Sequence, residues 1–348
     1  MIDWLNSRLH LHYLLTYLSN KNVPQHKYSY WYIFGGLTLF FFLIQISTGV
    51  LLLLYYSPTS DTAYESVQFI IEKVPFGWLI RSLHNWSAHL MIACVFIHLF
   101  SVYFMKAYRA PREMLWYSGV ILLFIVLGFA FTGYLLPWDT TSYFATQIGT
   151  EIPRSIPFVG DLMVDLLRGG DYIAEESLKR LFALHVTILP LISMMLIAFH
   201  LILNQIHSVS TPRGIVVKDE GMPFYPNYIQ KEFIIWLTGA GILSIFALLY
   251  PIHLGTKADP FASAPYGIKP EWYFLTLYQT LRFFPPKILN INSDLVVNIL
   301  VIALSMIILI IPILDKNSSR VLRSRLFTWL GVSAILYLVV TIILAYLT

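Results

Sequence analysis

Seven stretches of the chain, each at least 20 residues long, contain no Asp, Glu, Lys or Arg: 31–56, 82–105, 114–138, 181–205, 233–256, 295–314 and 326–348. A hydrocarbon core about 30 Å thick is crossed by about 20 apolar residues in a helix, so each stretch is long enough to span it. With 57% hydrophobic and only 12% charged residues among 348, the chain has lipid rather than water as its main solvent. The expected fold class is all-α: an integral membrane protein of seven transmembrane helices, four in an N-terminal bundle and three after it.

The charges between these spans are distributed unevenly. Connections on the side of the N-terminus, including Lys106, Arg109, Arg112, Arg213, Lys218, Lys316 and Arg320, hold 13 basic and six acidic residues, against 10 and 13 on the other side. The positive-inside tendency therefore places the N-terminus on the cytoplasmic side, in an energy-transducing membrane such as the bacterial inner membrane. A net charge of +4 follows from this topology, and no basic run with interleaved aromatics points to nucleic acid. Residues 4–17 read as an amphipathic interfacial helix with Trp4 as an anchor, since Asp3, Arg8, His10 and His12 interrupt any signal-peptide core. The lone cysteine, Cys94, excludes an intrachain disulfide or a cysteine-held cluster.

A polar stretch, 207–232, rich in turn residues such as Pro212, Gly214, Gly221, Pro223 and Pro226, divides the chain into 1–210 and 211–348. The connection 139–179 is too long to be bare, and 155–167 reads as a short surface helix within it.

Four histidines lie deep in spans: His84 and His98 in the second, 14 residues apart, and His185 and His200 in the fourth, 15 apart. Fourteen residues rise about 21 Å and nearly complete whole turns, so both imidazoles leave one helix face near opposite membrane surfaces. The second and fourth spans run in the same direction, which matches His84 with His185 and His98 with His200 in depth. Two histidines converging from facing helices supply both axial ligands of a heme iron and leave no open position, which makes an electron carrier. The alternative is core histidines or members of a proton path. Gly35 and Gly49 in the first span, and Gly119 and Gly133 in the third, repeat the 14-residue interval. They bare the backbone at the same two depths, where a flat group can approach. Ordinary small-residue packing is the competing account. His89 and His253 lack such partners and read as structural. Arg81 and Arg180 near the outer ends, and Arg112 at the inner, are placed either to pair with heme propionates or simply to snorkel.

Pro270, Glu271, Trp272, Tyr273 and Phe274 begin an apolar run ending at Arg282. Proline suits a first helical turn and a carboxylate there favours the dipole. Glu271 would sit among aromatics, where desolvation raises its proton affinity. Helix capping and an aromatic belt explain the same residues.

Together these motifs resemble cytochrome b of the bc-type complexes, over essentially the full length. The resemblance is to the plastid type, in which a four-helix cytochrome and a three-helix companion subunit correspond to the two parts here. Besides the histidines, glycines and Arg81, it is carried by 111–113 (Pro-Arg-Glu), 133–139 (Gly-Tyr-Leu-Leu-Pro-Trp-Asp), 258–261 (Ala-Asp-Pro-Phe), 270–274 and the 15-residue histidine interval. It implies two heme b groups, bis-histidine ligated, at His84/His185 outside and His98/His200 inside. It also implies a quinol site at the outer face formed by Tyr134, Pro270, Trp272, Tyr273 and Phe274, with Glu271 as catalytic proton acceptor. A Rieske-type iron-sulfur protein and a c-type cytochrome would be partners in a dimeric complex in lipid, and quinone would be reduced near the inner face. Ile33 stands where plastid-type members carry a cysteine for a further, covalent heme, so that link cannot form. The expected N-terminal acidic pair falls at Thr16 and Tyr17, and the expected base after His200 at Gln205. Two readings compete: a heme-b anchor subunit without bifurcation, and a histidine-coupled transporter without heme.

Overall fold

The computed structural model describes residues 2–212, 215, 221–315 and 321–348. Its helices are α1 (Ile2–Leu9), α2 (Leu11–Asn20), α3 (Ile33–Leu53), α4 (Ala63–Glu72), α5 (Gly77–Phe104), α6 (Glu113–Tyr134), α7 (Thr140–Glu151), α8 (Gly160–Arg168), α9 (Glu175–Ala183), α10 (Leu189–His207), α11 (Ile229–Leu249), α12 (Leu275–Arg282), α13 (Ser293–Leu314) and α14 (Val321–Leu347). Seven helical units are long and apolar enough to cross a membrane, one over each predicted span. The fold is all-α, apart from two short antiparallel pairs, β1 (Asn22–Val23) with β2 (Met222–Pro223) and β3 (Lys287–Ile288) with β4 (Ile291–Asn292).

Packing makes a four-helix core with flanking helices. α3 lies along α5 and α10 along α6, with α5 touching α6 between the pairs. α11 covers α3 and α5, α13 lies against α6, and α14 reaches α5 and α12. At the inner side Asp315, fully buried at the end of α13, accepts from Arg109 at 2.7 Å and from the Tyr108 hydroxyl at 2.6 Å. This buried charge cluster clasps the α5–α6 connection to the C-terminal helices.

The fourth span is not a regular helix. A π-helical turn, Leu184–Ile188, joins α9 to α10, and the Leu189 amide donates to Leu184 rather than one residue closer. Pro190 follows and has no N–H to give to the α-helical ladder. A π turn takes up one extra residue, so the 15-residue interval from His185 to His200 presents the two rings much as 14 residues do in α5.

Several boundaries differ from the sequence reading. The expected single helix over 4–17 is broken at His10, which takes a left-handed conformation with φ 50°. The helix expected at 155–167 is a 3-10 turn, Ile152–Ser155, followed by α8. α7 was not anticipated; Asp139 starts it, its carboxylate accepting the Ser142 amide at 2.8 Å in a capping box. The third span stops at Tyr134 and the fifth at Leu249, both short of their uncharged stretches, because Pro137 and Pro251 cannot continue a helix. Arg213, Gly214, Lys218, Asp219, Glu220, Lys316 and Arg320, used for the charge bias and the division of the chain, lie outside the described residues.

Candidate functional site

Each of the four glycines faces one of the four histidines. A Cβ at Gly133 would stand 2.5 Å from Cε1 of His185, and one at Gly35 3.0 Å from that of His98. At Gly49 and Gly119 the distances to His84 and His200 are both 3.3 Å. The bare patches expected to receive a flat cofactor are therefore occupied by the edges of the imidazoles themselves. The reason is length: a histidine on α5 or the fourth span reaches the neighbouring helix backbone only where that helix lacks a side chain.

In three of the four contacts the residue before the glycine is a hydroxyl facing Nδ1: Thr48 to His84 at 2.9 Å, Thr132 to His185 at 3.1 Å and Ser118 to His200 at 2.8 Å. Each hydroxyl also donates to a backbone carbonyl of its own helix, Ile44 at 2.6 Å, Gly128 at 2.8 Å and Leu115 at 3.0 Å. With its one hydrogen so committed, the hydroxyl oxygen accepts from Nδ1–H, and the Nε2 lone pair is left free on the other side of the ring. The fourth position holds Phe34, and the buried Nδ1 of His98 has no partner.

The rings of His84 and His185 have centroids 6.4 Å apart and planes 71° to one another. A metal midway would be bonded through two nitrogens at about 2 Å each, which leaves about 1 Å from each nitrogen to its ring centre. This is the span that two axial imidazoles need. Among the described residues no three His, Cys, Asp or Glu side chains converge, so the protein offers such a centre two ligands. A porphyrin would supply the others.

A cavity of about 290 Å³ runs from this histidine pair to the motif at 270–274. Its walls include Gly49, Gly133, Arg81, Tyr134, Glu271 and Tyr273. Glu271 is not inside a helix but stands at the residue before the 3-10 turn Trp272–Phe274 that leads into α12, its side chain making no capping hydrogen bond. Burial pushes its carboxyl above the ordinary carboxylate range and raises the Tyr273 phenol too. Trp272 Nε1 donates to Nδ1 of His89 at 3.0 Å, so the structural role of His89 is to anchor the motif to α5. Phe274 packs edge-on to Phe131 of α6, and half-buried Pro270 precedes the turn without lining the cavity. Residues 138–140 tie down 256–258: Ala258 donates to Trp138 at 3.0 Å and Thr140 to Thr256 at 2.8 Å across an Asp139–Lys257 bridge.

The arginines divide. Arg81 lines the cavity and donates to Ile252 at 2.6 Å. Arg180 turns outward and caps α8 through the carbonyls of Asp165 and Leu166, away from the cavity. Arg112 donates to His207 at 3.0 Å and keeps a buried, unpartnered Nε on the inner side. There Lys21 hydrogen-bonds the side chain of Gln205, bringing a cation from the N-terminal segment to the position whose own residue is neutral.

Comparison with known proteins decides the family. Residues 18–208 match the family model "Cytochrome b/b6/petB", and 257–348 match "Cytochrome b(C-terminal)/b6/petD". This chain belongs to the cytochrome b family. It is 45% identical over 343 residues, 97% of its own length and 78% of the relative's, to a "Cytochrome bc complex cytochrome b subunit" of Chlorobaculum thiosulfatiphilum. The cytochrome b6 of Cyanidium caldarium is 41% identical over 210 residues, 60% of this chain and 97% of that one. A solved structure described as "Hyperthermophilic respiratory Complex III" superposes on this cytochrome b with a TM-score of 0.88 at 30% identity, covering 99% of this chain and 91% of that one. Family membership carries b hemes with it and makes the chain a multi-pass integral membrane protein.

Proposed function

We propose, for this cytochrome b subunit of a bc-type quinol oxidoreductase complex, that quinol is oxidised at the outer face and quinone reduced at the inner. The observation that carries the reading is the single cavity joining Glu271 and Tyr134 to the His84/His185 pair. Two b hemes, held by His84 with His185 and by His98 with His200, supply a one-electron relay across the bilayer when bound. The imidazoles, three of them with Nε2 left free by a hydroxyl behind Nδ1, and the four glycines that admit them are this chain's part in holding the porphyrins. Arg81 and the unpartnered Arg112 Nε are positioned for propionates at the outer and inner faces. Ile33 in place of a cysteine leaves no covalent attachment for a third group.

Oxidising a quinol to quinone removes two electrons and two protons. Glu271, whose proton affinity burial has raised, takes one of these protons from a quinol hydroxyl and passes it to the outer aqueous phase, which also receives the second. Tyr134 and Tyr273 wall the ring position, and Trp272, Phe274 and Pro270 set the turn that aims Glu271. One electron would leave to a Rieske-type iron-sulfur protein and then a c-type cytochrome, and the groups held by the four histidines would supply the inward path for the other. At the inner face Lys21, at the Gln205 amide, provides the cationic group beside the quinone. Residues 1–210 act as the heme-bearing unit and 211–348 as the unit that brings the Glu271 motif to it, in a dimeric complex of a bacterial inner membrane with the N-terminus cytoplasmic.

The test is spectral and kinetic. Purified complex should give a b-type α band on reduction, two hemes per chain by pyridine extraction, and reduction by quinol that slows in Glu271→Gln. A colourless preparation would favour a transporter, and two hemes with no dependence on Glu271 or on an iron-sulfur partner would favour a simple membrane anchor.

A further inference from the structure

Counting the hydroxyls by depth shows an inequality. Both histidines of the outer pair face a hydroxyl oxygen, Thr48 for His84 and Thr132 for His185. In the inner pair only His200 does, through Ser118, while the Nδ1 of His98 is buried without a partner and Phe34 stands where the fourth hydroxyl would be. An acceptor on Nδ1–H draws that proton away from the ring, fixes the tautomer and makes Nε2 a stronger electron donor. A stronger donor favours the oxidised, more positive iron, so hydrogen bonding behind the ligand is a lever on potential.

We infer that Thr48, Thr132 and Ser118 are positioning residues that lower the potential of the heme their histidine serves, two acting on the outer site and one on the inner. The inequality biases an electron arriving at the outer face toward the inner one, using a device written in the chain as hydroxyl-glycine dipeptides, Thr48-Gly49, Ser118-Gly119 and Thr132-Gly133, against Phe34-Gly35. The inference rests on the heme assignment above. It concerns the residues behind the ligands, and the two fail in different ways.

The experiment is a redox titration of the purified complex at the α band, with heme content measured in parallel. Thr48→Val and Thr132→Val should each raise the same one of the two waves, by roughly a tenfold change in the equilibrium constant, about 59 mV for one electron. Ser118→Ala should raise the other wave, and Thr132→Ser should return the first to its starting value. Phe34→Thr, which adds the missing acceptor, should lower the wave that Ser118→Ala raised. Two hemes with both waves unmoved in Thr48→Val and Thr132→Val would overturn the inference. So would Thr132→Val and Ser118→Ala moving the same wave, or Thr132→Ser shifting it as far as Thr132→Val. Should the valine variants lose heme, Phe34→Thr decides: a loaded variant with an unmoved inner wave overturns it as well. Wild-type protein without heme would instead overturn the functional reading.

Discussion

The outer and inner halves of the four-helix core hold the same four elements, two histidines and two glycines, yet they are built to different standards. Outside, both imidazoles are fixed by hydroxyls, the rings face each other at 6.4 Å, and the cavity between them continues to a desolvated carboxyl. Inside, one imidazole is fixed and one is not, and the polar surroundings are assembled from distant segments: Lys21 from the end of α2, Arg112 before α6 and Gln205 in α10. The outer half thus has both rings held by side chains close to them in the four-helix core. The inner half depends on how the N-terminal segment settles against α10, and β1 pairing with β2 is what brings it there.

The largest break in the comparison comes from the ligands. His200→Leu should take the heme count from two to one and leave the outer heme reducible by quinol, read by pyridine extraction and a reduction trace. Loss of both or of neither would contradict the pairing by depth.

Next in size is Glu271→Gln, which should slow quinol oxidation by about 100-fold with both hemes in place. The active form is the carboxylate, so wild-type rates should fall as pH drops through a pKa lying above the ordinary carboxylate range. The glutamine variant should lose that acidic limb, and a rate profile equal to wild type at every pH would remove Glu271 from the chemistry.

A finer cut uses the glycines. Gly133→Ala drives a methyl to 2.5 Å from the His185 ring and should cost about 1–3 kcal/mol together with outer heme, whereas Gly119→Ala, at 3.3 Å, should keep its heme with a smaller loss of stability. Thermal melts followed at the α band would read both, and equal losses would mean the rings move freely.

The smallest effect belongs to the inner face. Lys21→Met should slow reoxidation of the inner heme by quinone severalfold without changing the first turnover of quinol, seen in rapid-mixing traces. A slowed first turnover would show that Lys21 instead supports the fold.

Much of this was legible in the sequence because lipid makes few demands, and strict ones. Uncharged length alone set the seven spans, and matched intervals in two of them set the histidine pairs by depth. The first and third spans revealed their glycines by the same arithmetic. The hydroxyls beside the glycines were equally visible, as Thr-Gly and Ser-Gly, but a threonine in an apolar helix usually bonds its own backbone, and nothing in a linear pattern says that it also faces a ring. Nor does the 15-residue interval between His185 and His200 say by itself that a π turn before Pro190 absorbs the fifteenth residue.

What the sequence determined by itself was therefore what is written along single helices: the stretches long enough to cross a membrane, the histidine intervals in two of them and the matching glycines in two others. Tertiary structure alone decided what depends on contacts between residues far apart in the chain. It set His89 beneath Trp272, brought Asp139 against residues 255–258, turned Arg180 away from the cavity and delivered Lys21 to Gln205. A helix repeats every 3.6 residues and so writes its geometry into the sequence, whereas loop closure and docking depend on which distant surfaces fit.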